Sequence, residues 1–371
     1  MEIFSLSALS QAAFAEIKEG EILVERVLAR DELLDIAKGL AILLVVLGHT
    51  IQGAYPEKFD DIFAFRVVYS FHMPLFAFLA GAAAVFWVEK IDIGGSIYDA
   101  GAAALRRVQR AAMLLLLPFV SWTILFYLSG RAEGPFGTYL LDVFLHADRS
   151  LWFLPCIFWC TVFTAAYVVV STIACTVLRT VGLERIIRFL APIPVQMLFA
   201  FLIWNALKVK MHSAGGLVFA NDFHGGLFLF FLLGAAAYRA FTGTASIWLR
   251  AIPYIVFLGL IWFWHRTLPE NLISDAPLFL ASQFAAKHYA FTVAMSGSLM
   301  AVDLARVLRS IGQRHINEVL AYLGSVSLAV YAIHFYALTV SPPFVAPLAI
   351  SVAAYFLLSK VPLVSTALFG K

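Results

Sequence analysis

Leu40-Ala41-Ile42-Leu43-Leu44-Val45-Val46-Leu47 is the stretch on which the fold of this chain turns. It is apolar on every face, which fits neither the one-sided stripe of a globular surface helix nor the alternation of a half-buried strand. The run around it extends for roughly 18 to 25 residues, the length a helix rising about 1.5 Å per residue needs to cross roughly 30 Å of hydrocarbon. A transmembrane β-barrel would instead show alternating segments of about ten residues. The chain therefore reads as all-α, a polytopic integral membrane protein.

Similar runs recur outward from this one. Their starts fall near Ile36, Val67, Ala103, Leu151, Phe189, Phe223, Ile247, Phe284, Val319 and Phe344, which predicts about ten transmembrane helices. Composition agrees, since 62% of the 371 residues are apolar and 13% charged, against roughly half and a quarter in soluble domains. One membrane domain over residues 31–371 accounts for nearly everything. Residues 1–30 mix Glu2, Glu16 and Glu19 with apolar residues and have no basic leader, so they read as a cytosolic amphipathic segment on the bilayer surface rather than a secretory signal.

Sidedness follows from Lys and Arg. One set of breaks holds Lys90, Arg106, Arg107, Arg110, Arg179, Arg185, Arg188, Arg239, Arg250, Arg306, Arg309 and Arg314. The opposite set holds Lys58, Arg66, Arg131, Arg149, Lys208, Lys210, Arg266 and Lys287. The positive-inside rule puts the richer set and both termini in the cytoplasm, as in a multi-pass protein of the plasma (inner) membrane. A formal net charge of +3, with no basic cluster interleaved with aromatics, argues against a nucleic-acid partner. Cys156, Cys160 and Cys175 read as small buried hydrophobes, with no disulfide framework or zinc spacing.

An ionisable side chain in a span costs at least about 2.5 kcal/mol at the bilayer centre on insertion scales. The first span carries Asp35, Lys38 and His49. At about 100° per residue all three point the same way, with Asp35 and Lys38 one turn apart. Two readings stand: interface markers with Lys38 snorkelling, or groups retained for chemistry. Fourteen residues of helix, about 21 Å, separate Asp35 from His49, so a carboxylate partner for His49 has to come from elsewhere in the bundle. Threading the topology brings His72, His224 and His334 to the depth of His49, near the outer face. Imidazoles there serve as general bases or metal ligands. No two share the i, i+4 spacing of a helical metal site, and no metal is expected. At the cytoplasmic end of the third span, Arg107 and Arg110 set two guanidinium forks on one helix edge, suited to phosphate oxygens or to lipid headgroups.

The blocks Arg30-(four residues)-Asp35-(two)-Lys38-Gly39-(nine)-His49 and Phe71-His72-Met73-Pro74-Leu75-Phe76 resemble the membrane acyltransferase-3 family, with fucose 4-O-acetylase-like members as the nearest likeness. Leu151-Trp152-Phe153-Leu154 and Ser327-Leu328-Ala329-Val330-Tyr331-Ala332-Ile333-His334 resemble its later signatures, in the same order and spacing. The resemblance implies transfer of an acyl group, acetyl foremost, from cytoplasmic acyl-coenzyme A as co-substrate onto a carbohydrate acceptor outside the cytoplasm or on a lipid, with no tightly bound cofactor. It makes Lys38 the essential basic residue and His49 the essential histidine, with Asp35 beside them on the candidate catalytic face. Arg107 and Arg110 become the acyl-donor pair. His72, Trp152, His224, Tyr331 and His334 are the candidate acceptor-side residues. Two departures from the pattern stand out: Ala80 where Ser is common, and Pro118 further beyond Arg110 than expected. Succinyl transfer is the nearest alternative chemistry. A transporter of a glycan or anion is a rival from another class, but related halves and broken helices, the marks of such a fold, are not apparent in the sequence.

Overall fold

The computed structural model describes residues 31–91, 95–145, 151–190, 192–202, 222–243, 246–266, 283–338, 340–341 and 343–371. The amphipathic segment expected at 1–30 lies outside them. All regular structure among the described residues is helical.

The first helix, α1 (Glu32–Ala54), starts where its sequence supplies a cap. The Asp31 carboxylate accepts the Leu34 backbone N–H at 3.2 Å, and its second oxygen accepts the Tyr238 hydroxyl at 2.9 Å. That satisfies an otherwise orphaned donor and ties the helix entry to a distant span. Next comes α2 (Phe63–Val88), then a long rod made of α3 (Ile97–Ala111), a π-helical turn (Ala112–Leu116) and α4 (Leu117–Leu128). The π turn has a local cause. Pro118 lacks an N–H, and its ring crowds the carbonyl four residues back, so the helix widens and Leu117 N–H reaches the Ala112 carbonyl five residues back. The widened turn lies between Arg110 and Pro118, and the arginine pair faces a cavity of the bundle.

The remaining helices are α5 (Phe136–Leu145), α6 (Phe153–Thr180), α7 (Glu184–Leu190), α8 (Ile193–Leu202), α9 (Asp222–Thr242), α10 (Ile247–Leu260), α11 (Gln283–Ile311), α12 (Arg314–Ser325), α13 (Ser327–Ala337), α14 (Val345–Leu358) and α15 (Pro362–Phe369). A helix begins near each of the ten expected starts. Among the described residues, five helices are long and apolar enough to cross a membrane alone: α1, α2, the α3–α4 rod, α6 and α11. A sixth crossing results if α12 and α13 count as one span, bent by 81°. Four shorter apolar helices complete the set. The chain is a multi-pass membrane protein.

The break between α12 and α13 corrects the expectation that no span is broken. No proline marks it; the chain turns at Val326, between Gly324-Ser325 and Ser327. Non-helical backbone at membrane depth is tolerated where it faces a cavity, and all four of these residues do. Close crossings hold the bundle around it. A Cβ on Gly39 would collide with the Leu320 carbonyl, and one on Gly324 with the Asp35 carbonyl, so α1 and α12 meet backbone to backbone. Gly81 and Gly234 let α2 and α9 approach in the same way. The α15 segment docks on α4, where the Trp122 indole N–H donates to the Leu368 carbonyl at 2.9 Å.

Candidate functional site

Helical spacing brings α1, α2 and α13 together with their histidines at one level. The His49 ring lies 5.2 Å from that of His334 and 4.7 Å from Phe335. Tyr69 links the third imidazole, its ring 6.1 Å from His49 and 4.6 Å from His72. Three of the four expected histidines therefore share one cluster; the side chain of His224 lies outside the described residues.

Hydrogen bonding fixes the protons on these rings. His72 Nδ1 and His334 Nδ1 each lie 3.0 Å from the carbonyl four residues earlier, Val68 and Val330. A carbonyl only accepts, so each Nδ1 carries the proton and each Nε2 presents a lone pair. The Tyr69 hydroxyl donates to Gln52 Oε1 at 3.0 Å, and His49 Nδ1 sits 3.3 Å from the same oxygen. His49 is thus also an Nδ1–H donor, and its Nε2 carries the lone pair. Among the described residues its orienting partner is an amide one turn along its own helix. His334 Nε2 is fully buried with no hydrogen-bond partner. A buried polar atom left open in this way costs roughly 1–3 kcal/mol.

Below the cluster runs a cavity of about 350 Å³, within the range of small-molecule sites. One end is charged, lined by Asp35, Lys38, Arg107, Arg110 and Lys371. The other end is lined by Val45, Met73, Phe153 and Tyr331. These stop one step short of the histidines: Val45 is one turn before His49, Met73 follows His72, and Tyr331 lies one turn before His334. Asp35 and Lys38 thus lie with the arginines, while His49 stands about 16 Å further along the same helix than Lys38. Trp152 is half-buried and packs edge-on against Phe153, which takes the lining position.

Several residues were not singled out in the sequence. Gln52 had a signal, since it is three residues from His49 on the same face. Tyr69 belongs to the His72 helix one turn earlier, but its reach to His49 depends on how α1 and α2 pack. Lys371, whose Nζ donates to the Ser325 carbonyl at 3.2 Å, is far from every motif in sequence. Arg131 donates to the Phe335 and Tyr336 carbonyls at 3.0 and 3.4 Å and lies over the Tyr336 ring, holding the end of α13 beside His334.

Residues 31–369 match the family model described as an acyltransferase domain. Nodulation protein NolL of Sinorhizobium fredii (strain NBRC 101917 / NGR234) is 31% identical over 137 residues, 34% of this chain and 33% of that protein. Nodulation protein NolL of Mesorhizobium japonicum (strain LMG 29417 / CECT 9101 / MAFF 303099) is 31% identical over 137 residues, 34% and 32% of the two chains. The match spans about a third of the length of these curated relatives. No solved structure matches the chain significantly.

Proposed function

The chain belongs to the acyltransferase-3 family, and on that premise we propose that it is an integral membrane O-acyltransferase, moving an acetyl group from cytoplasmic acetyl-coenzyme A to a hydroxyl of an extracytoplasmic or lipid-linked glycan. The observation that carries this reading is the cavity that runs from the Arg107/Arg110 pair toward His49 and ends at Val45, one turn short of it. In it the donor phosphates lie against the guanidinium forks and Lys38, and the pantetheine arm threads toward Tyr331 and Phe153. The acceptor comes from the histidine side.

His49 Nε2 takes the proton of the sugar hydroxyl as its oxygen attacks the thioester carbonyl carbon. As that C–O bond forms the C–S bond breaks, and the imidazolium returns the proton to the departing thiolate sulfur. Gln52 and Tyr69 hold the ring in the tautomer this needs. The lone pair of His334 Nε2 accepts a hydrogen bond from a sugar hydroxyl and orients it. Attack by His49 itself on the thioester, giving an acyl-imidazole, uses the same nitrogen; trapping of an acylated enzyme in the absence of acceptor distinguishes the two routes.

Surface and lipid-linked glycans compared by mass spectrometry, from cells with and without the protein, are expected to differ by the mass of one acetyl group at a carbohydrate position. A succinyl difference would change the donor, and identical glycans would refute the reading. The orientation has its own test. Single cysteines at Glu184 and Arg314 are expected to resist a membrane-impermeant reagent applied from outside and to react after permeabilisation, because both belong to the arginine-rich breaks. Labelling of either from outside inverts the assignment.

A further inference from the structure

A second groove, of about 400 Å³, adjoins the charged end of the cavity and shares Ala83, Arg107 and Arg110 with it. Its other lining residues are Phe86, Trp87, Lys90, Ala103 and Arg106. Four cations line it, and no carboxylate does among the described residues. The nearest acid in sequence, Glu89, is engaged elsewhere, 2.7 Å from Arg239. Arg107 stands between the two spaces, its guanidinium carbon 6.0 Å from the centre of the Trp87 ring and its Nε buried without a hydrogen-bond partner.

Four cations clustered on one groove suit a polyanion, and an indole beside them offers a face for a flat ring. The cavity holds the thioester arm in the reading above, and this inference rests on that reading. We propose that the groove holds the phosphorylated nucleotide end of the acyl-coenzyme A donor, with Lys90 and Arg106 taking its 3′-phosphate and the Trp87 indole stacking on the adenine. The shared arginines then face the diphosphate that joins the two halves of the molecule. The headgroup of an anionic lipid offers the same phosphate chemistry, but neither a base nor a thioester.

The test compares two donors in membrane vesicles, acetyl-coenzyme A and its 3′-dephospho form, with protein levels matched. Lys90→Gln with Arg106→Gln is expected to raise KM for acetyl-coenzyme A about tenfold, leaving kcat and the KM for the dephospho donor nearly unchanged. Lys90→Arg with Arg106→Lys is expected to restore the preference. Trp87→Leu is expected to raise KM for both donors by a similar factor, with Trp87→Phe retaining most of the affinity. An equal effect of the glutamine pair on both donors overturns the 3′-phosphate assignment. No effect on either donor, with activity tracking the anionic lipid content of the vesicles, makes the groove a headgroup site and also overturns it. The underlying donor reading fails separately, if Arg107→Ala leaves KM for both donors unchanged.

Discussion

His49→Ala is expected to abolish acyl transfer at every donor concentration while leaving donor binding near normal. The imidazole is held at Nδ1 by Gln52 and sits one turn beyond the last cavity-lining residue of its helix, Val45. In the proposed mechanism its Nε2 contacts only the reacting hydroxyl and the departing sulfur, both beyond the donor phosphates. Loss of a positioned general base costs about 10²–10⁴ in rate, or about 3–5 kcal/mol of transition-state stabilisation at 1.36 kcal/mol per tenfold. Such a loss appears in kcat and not in the donor requirement. Gln52→Leu removes only the orienting bond, and a smaller fall in kcat is expected from it. The measurement is transfer of radiolabelled acetyl groups in vesicles with donor titrated. Near wild-type transfer by a correctly inserted His49→Ala protein would end the enzymatic reading of the cluster and bring the transporter alternative forward, since the bent α12–α13 pair suits that class as well.

The opposite signature is expected at the charged end. Arg107→Ala or Arg110→Ala removes charge-assisted hydrogen bonds to the donor phosphates, each worth roughly 1.5–3 kcal/mol. The apparent KM for donor should rise by about ten- to a hundredfold, and high donor should recover most of the maximal rate. Arg107 is expected to have the larger effect, because it is half-buried against Trp87 whereas Arg110 is exposed and better screened by water. Lys38→Arg should retain part of the activity and Lys38→Ala much less, since Lys38 lines the same end of the cavity from α1. A fall in kcat with unchanged KM in either arginine variant would place the pair in the chemical step and contradict its assignment to donor binding.

The membrane architecture was open to reading from the chain alone, because the length of an apolar run measures the bilayer and does not depend on neighbours. The same holds for relations within one helix. The common face of Asp35, Lys38 and His49, and the paired forks of Arg107 and Arg110, follow from about 100° and 1.5 Å per residue. Threading alternate spans through a slab also gave His72 and His334 the depth of His49, since depth is counted along each helix separately. Rotation about each helix axis is another matter, and packing sets it. The glycine crossings of α1 with α12 and of α2 with α9 determine which side of each rod faces inward. That is why Tyr69 reaches His49, why Lys371 joins the arginines, and why Trp152 yields its lining position to Phe153. The 81° break at Val326 and the π turn before Pro118 likewise exist only where the surrounding bundle supplies a cavity or satisfies the displaced backbone. Apolar length is a property of one segment against lipid, whereas the site is a property of several segments against one another, and no single run of residues encodes it.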